Sequence, residues 1–339
     1  MTNITIKPTR EIEACDRKRF FLPNGVAVLN SSNIVIADSG NDRICMLDSN
    51  GDSIKSIGGK GFGKYLFKEP VGVFVSPDQK VYVADWHNHR IAIYNEDLIY
   101  VGEFGHYGRV NSSDSVIAKI MQIRGFFRNL SYTGVYLTHH FVSSKSKAKN
   151  NEYSFKLFLN GLLYWYSRNT SFKSVIKMIL SEHDAIDKPN GVAFFNDTVV
   201  ISQKNSRCLS LYHKKKAQND YIPVAHYFGP SDSKRFGRLC NLAYDLQGCL
   251  YVCDERKNLI WKLNSNFGYL DTIVGEDSGT REFLPFSCCF IRADILAVCG
   301  GLNFQIIDVP SKELLYCSEK RGELHGIAYD KNLKRLYVA

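Results

Sequence analysis

Residues 68–110 read KEPVGVFVSPDQKVYVADWHNHRIAIYNEDLIYVGEFGHYGRV, and residues 21–63 read FLPNGVAVLNSSNIVIADSGNDRICMLDSNGDSIKSIGGKGFG. At an offset of 47 residues they share Pro23 with Pro70, Ala37-Asp38 with Ala84-Asp85, Asn41 with Asn88, Arg43-Ile44 with Arg90-Ile91, Gly58 with Gly105 and Gly61 with Gly108. Coincidence at one offset on this scale marks an internal repeat, and the period is that of one supersecondary unit. Within the first copy, alternation of apolar and polar residues places four strands, at 25–29, 34–38, 43–48 and 53–58. Asp48-Ser49-Asn50-Gly51 and Asn95-Glu96-Asp97 supply turns between the third and fourth. The Asp ending strand two and the Asn-x-Arg opening strand three frame a tight connection, in which the arginine can reach back to the carboxylate. A repeated four-stranded antiparallel meander of about 45 residues is the signature of a β-propeller blade.

Working outward, further copies carry the pattern in eroded form. Lys188-Pro189-Asn190-Gly191-Val192-Ala193 opens one, with Ser202 expected at the Asp position and Arg207 at the Arg position. Leu242-Ala243-Tyr244-Asp245 leads to Leu250-Tyr251-Val252-Cys253-Asp254, which keeps the Asp and sets Leu259 where Arg is expected. Another runs from Pro285 through Cys299, with Gly300 and Gln305 at the two positions. His325-Gly326-Ile327-Ala328-Tyr329 with Leu336-Tyr337-Val338-Ala339 is half a copy. Strands from the two termini, with 4–7 and 11–14 as candidates at the N-terminal end, are expected to share a blade, since closure removes exposed sheet edges.

The pattern Pro-x-Gly-Val-Ala-Val, then apolar-x-Val-Ala-Asp-x-x-Asn-x-Arg-Ile, resembles the NHL repeat. The resemblance implies an all-β fold, a β-propeller of four-stranded antiparallel blades, with six blades favoured over seven. It covers residues 1–339 as a single propeller and is specific in the first two copies, where Asp38, Arg43, Asp85 and Arg90 are the repeat's structural residues, with Arg207 and Asp254 their later counterparts. Propellers of this family often terminate ubiquitin ligases of the tripartite-motif type. The Cys and His spacing of a RING zinc site is absent from this sequence, so the resemblance implies a recognition module that reaches ubiquitin ligation through a partner or a longer isoform.

Composition excludes other classes. The 339 residues are 45% hydrophobic and 13% aromatic, enough for a large core and inconsistent with disorder. The longest apolar runs fall far short of the roughly 18–20 residues that cross a bilayer, so no membrane role is expected. The first 20 residues hold no apolar h-region, which points to a cytoplasmic protein whose ten cysteines are reduced and packed as small hydrophobes. A monomer without cofactor is the expectation.

The formal net charge of +9 is local: residues 109–180 carry 11 basic and two acidic side chains, and the rest of the chain is neutral. This stretch also holds 12 of the 43 aromatic residues. Residues 109–187 read as a degenerate blade with a basic, partly helical insertion, helical over 115–127 and loop-like over 143–151. Basic side chains among aromatics suit RNA, with Arg124, Arg128, Lys145, Lys147 and Lys149 as candidate contacts, although strand core beneath a solvated basic loop accounts for the same composition.

No nucleophile elbow, zinc-protease helix or phosphate loop occurs, and the Gly-rich run 58–63 recurs at the same repeat phase as 105–108, which makes it a turn between blades. His87-Asn88-His89 and His139-His140 lack a visible third ligand, so no metal site is expected. One branch of the family is a zinc-dependent lyase; that enzymatic alternative fits this chain least. The first strand of each blade lines a propeller axis. That geometry nominates Asn24, Val71, Asn190, Asn241, Ser287 and His325 at one opening, with Trp86, His87, Lys204 and Arg256 on adjoining loops. Trp, His, Asn and Arg gathered on one face have the composition of a protein-binding surface. The expected function is therefore non-catalytic recognition of a protein partner, with RNA binding as the competing reading.

Overall fold

The computed structural model describes residues 6, 10–108, 185–214, 221–229, 234–273, 283–319 and 322–339. The chain divides into Met1–Arg109 with Asp184–Ala339, and Val110–His183; every described residue belongs to the first unit. The degenerate-blade reading thus lies outside the described residues except at 185–187, as do Arg124, Arg128, Lys145, Lys147, Lys149 and His139-His140.

Five four-stranded antiparallel sheets, each in simple meander order, form the blades of a β-propeller. Sheet one comprises Pro23–Val28, Ile34–Asp38, Arg43–Leu47 and Ser53–Gly58. Sheet two, Pro70–Val75, Val81–Asp85, Arg90–Tyr94 and Tyr100–Phe104, repeats it 47 residues later. Sheets three, four and five begin with Pro189–Phe195, Leu239–Tyr244 and Ser287–Arg292. A two-stranded sheet follows, Ile327–Asp330 with Arg335–Val338, and its first strand packs against the first strands of sheets five and one. Among the described residues there is no α-helix, and no helix long and apolar enough to cross a membrane. The strands drawn from the sequence for the first copy match those of sheet one to within two residues. At the N-terminus, Ala14–Cys15 pairs with Lys18–Arg19 in a small hairpin instead of joining the two-stranded sheet, and residues 4, 5 and 7 are outside the described set.

The cores lie between sheets, as a period-two pattern with both faces buried requires. Ala37, Ile44 and Met46 of sheet one meet Val73, Val83 and Ala92 of sheet two; Ile91 and Ile93 of sheet two meet Val192, Val199 and Ile201 of sheet three. The second strands of sheets one, two and four are buried along their whole length. All ten cysteines are free thiols, and seven are buried among these apolar side chains.

A buried polar pin stands at the inner end of each of the first two sheets. Asp38 accepts hydrogen bonds from Phe21 N (2.8 Å), Asn41 Nδ2 (2.8 Å) and Arg43 Nε (2.7 Å). Asp85 accepts the equivalent set from Lys68 N (2.9 Å), Asn88 Nδ2 (2.8 Å) and Arg90 Nε (2.8 Å). Each pin ties the chain entering the blade to the turn joining strands two and three, and so fixes one rim of the propeller. The Arg90 guanidinium is spent entirely on structure, donating also to Glu103 Oε2 (2.6 Å), Gly63 O (2.8 Å) and Leu66 O (2.7 Å).

The later sheets solve the same problem with other residues. In sheet three the Asp position, cross-paired with Pro189, is Gln203 and not Ser202, and its partner on strand three is Cys208 and not Arg207. Gln203 Oε1 accepts from Asp187 N (2.8 Å), and its amide donates to Ser210 Oγ (2.5 Å). In sheet four Asp254 accepts from Gly237 N (2.7 Å) and from the indole N–H of Trp261 (3.0 Å). Ser210 and Trp261 each stand two residues beyond the Arg position, on the same face of strand three, because side chains repeat every second residue. Arg207 instead occupies the left-handed position that closes the turn, with φ 52°, matching Asp42 (53°), His89 (55°) and Asn258 (53°). Its side chain is exposed.

Candidate functional site

Glycine at or just before the start of the first strand sets how closely the blades converge. A Cβ on Gly72 would overlap the Asn190 carbonyl oxygen, one on Gly25 would press on Val71 O at 2.5 Å, and one on Gly326 would overlap Asn24 O. The residue before each glycine therefore sits at the rim of the axial opening. Asn241 and Ser287 occupy the glycine position in sheets four and five, where Asn241 Nδ2 donates to Ser287 Oγ (2.8 Å) and Asn241 N to Phe286 O (2.9 Å). The rim residues of those sheets are consequently Cys240 and Phe286, one position earlier than the spacing argument placed them.

Asn24, Val71, Asn190, Cys240, Phe286 and His325 line one cavity of about 770 Å³. The turns between strands two and three add Trp86, Lys204, Arg207, Glu255 and Arg256, and the segments entering the blades add Glu69, Arg238 and Leu284. Of the sequence candidates, the structure gathers Asn24, Trp86, Asn190, Lys204, Arg256 and His325 at this mouth. His87 stands beside it, with Nε2 2.9 Å from Glu69 Oε2, and Asn241 stands behind Cys240. Arg238, Glu69, Leu284 and Phe286 were missed. Glu69, Arg238 and Leu284 precede the first strands of their sheets, where the repeat pattern carries no signal.

The mouth is cationic. Glu255 is claimed from three sides: Lys204 Nζ lies 2.9 Å from one oxygen, Arg238 Nη1 3.2 Å from the other, and the Cys240 thiol donates across 3.2 Å. Burial alone would push the Glu255 carboxyl up, but the Lys204 ammonium, the Cys240 thiol and Arg238 together hold the group below the ordinary range. Burial and the Glu255 charge push the Cys240 thiol well above its ordinary range, so it is no nucleophile at neutral pH. Arg207 and Arg256 have neither a hydrogen bond nor an ion pair among the described residues.

The walls are aromatic. Lys188 Nζ lies 4.5 Å from the centroid of the Trp86 ring, and Trp86 packs on His87 at 4.8 Å. Among the described residues the buried indole Nε1 of Trp86 has no hydrogen-bond partner. Phe286 stacks on His325 at 4.9 Å. Burial lowers the His325 pKa, against the opposing pull of Glu323, so the imidazole is neutral at pH 7. Among the described residues no cluster of three metal-binding side chains occurs.

The NHL repeat profile matches residues 67–94, which run from Phe67 through the Asp85–Arg90 pin to Tyr94. Residues 67–94 are an NHL repeat. The match covers one of the two segments where the repeat's Asp, Asn and Arg make the full pin, and the first copy and the eroded copies fall outside it. No curated protein sequence matches the chain. Among solved structures, the chain is similar to one in a crystal structure of a nidogen/laminin complex, with TM-score 0.54 and 12% identity over 92% of this chain and 88% of that one. It is also similar to a catalytically inactive variant of virginiamycin B lyase from Staphylococcus aureus with quinupristin, with TM-score 0.51 and 12% identity over 94% of this chain and 77% of that one. At such identity these neighbours share this chain's propeller fold and nothing finer.

Proposed function

We propose that this chain is a non-catalytic binding scaffold that recognises a protein partner through the axial mouth. In this reading the ring has six blades, the last built on Ile327–Asp330 and Arg335–Val338 between sheets five and one. The carrying observation is the composition of the mouth: an aromatic wall at Trp86 and Phe286, two guanidinium groups without partners among the described residues, and a cavity of about 770 Å³ framed by strand ends and turns. Aromatic and arginine side chains on a preformed concave surface are what protein interfaces concentrate their energy in. The partner of the nidogen/laminin complex is itself a protein, which agrees with such use of this fold. The scaffold works in the cytoplasm, where its cysteines stay reduced, and a link to ubiquitin ligation runs through the partner or a longer isoform. Tagged wild-type and Trp86→Ala protein, compared by affinity purification and mass spectrometry, test the reading. The partner is recovered with the wild type and lost with the variant at an unchanged melting temperature; equal recovery overturns the proposal.

A second reading, an enzyme acting like the lyase, would draw on His325, whose neutral imidazole is a competent base. Binding is preferred because both mouth carboxylates, Glu69 and Glu255, are engaged by neighbouring side chains. Turnover of quinupristin by purified protein, abolished in His325→Ala, would favour the enzyme.

A further inference from the structure

We propose that the segment received by the mouth is an extended acidic stretch of a protein partner, its carboxylates held by Arg207 and Arg256. The inference rests on the scaffold reading and names the chemistry of the docking segment. Every other charge at the opening is spoken for: Lys204 and Arg238 by Glu255, and Glu69 by His87. Arg207 and Arg256 remain, both exposed, on the corresponding turns of sheets three and four. A guanidinium presents a planar fork of donors that matches a carboxylate. Elsewhere the same chain spends its forks on such partners, as Arg43 does on Asp38 and Arg90 on Asp85.

The surroundings suit acidic side chains on a peptide. Val71, Leu284 and Phe286 offer apolar surface for the methylene stems. A nucleic acid suits it less, because its regular phosphates would run past the Glu69 and Glu255 carboxylates that line the same opening. A short peptide needs only two local cations and avoids that repulsion.

The test uses the full chain and two labelled peptides, acetyl-GGDEDGG-amide and its neutral twin acetyl-GGNQNGG-amide, titrated by fluorescence polarisation to about 1 mM, with decauridylate as a third probe. The acidic peptide binds roughly tenfold more tightly than the neutral one, and the preference disappears in Arg207→Gln/Arg256→Gln, whose melting temperature is unchanged because neither side chain has a partner to lose. Equal binding of the two peptides, no binding, an acid preference that survives the double variant, or displacement of the acidic peptide by decauridylate overturns the inference. If that happens while Trp86→Ala still abolishes partner recovery, the scaffold reading stands and only the docking chemistry falls.

Discussion

Truncation of the pin in sheet two measures how much of the rim depends on one carboxylate. Asp85 is fully buried and accepts from Lys68 N, Asn88 Nδ2 and Arg90 Nε. In Asp85→Ala the guanidinium of Arg90, 2% exposed, loses its strongest counter-charge but keeps Glu103, Gly63 O and Leu66 O. Breaking a buried pair by removing one partner costs about 3–5 kcal/mol, and the three retained acceptors put Arg90 near the lower end. Orphaning the Lys68 N–H adds about 1 kcal/mol, for a total of about 4 kcal/mol. At about 2–3 °C per kcal/mol for a chain of this size, the melting temperature drops by about 8–12 °C. Differential scanning fluorimetry reads this against Glu96→Ala, an exposed control in the same sheet. The double variant Asp85→Ala/Arg90→Leu loses less than the sum of the singles, since the second change removes a charge the first left stranded. A fall in Asp85→Ala no larger than that in Glu96→Ala refutes the pin.

Two further outcomes follow from the same geometry. Trp261→Phe keeps the ring in the sheet-four core but deletes the N–H that Asp254 accepts; it lowers stability by about 1–2 kcal/mol, read as a fall of about 2–6 °C in the same assay. Burial lowers the pKa of both His89 and His325, so below the ordinary histidine range the unfolded chain takes up protons that the folded chain refuses. Stability is therefore full above about pH 6.5 and falls as the pH drops below it; His325→Gln makes the loss between about pH 7.5 and 5.5 smaller in parallel melts.

The ring was legible in the sequence because its determinants are local. Alternation, turn residues and the Asp-x-x-Asn-x-Arg pin all act within one blade, and two copies kept them intact. The mouth was legible only in part, because it is assembled between blades. Asn24, Asn190 and His325 could be placed because a glycine follows each and marks the point of closest approach; in sheets four and five Asn241 and Ser287 hold that point, and the count slipped by one, from Cys240 and Phe286. Arg207 was misread for a related reason: one missing residue of spacing turned an apparent pin into an exposed side chain at the rim. Trp261 could not be anticipated from the repeat, since an indole N–H replaces a guanidinium from two residues away on the same strand face.

The direct measurement is photo-crosslinking from opposite faces of the propeller. Benzoylphenylalanine is placed at Phe62, 68% exposed on the connection entering sheet two at the mouth side, or at Leu246, 81% exposed in the turn joining strands one and two of sheet four at the far side. Irradiation in cells captures the partner from Phe62 and not from Leu246 if the mouth is the recognition face. Capture from Leu246 alone contradicts the account.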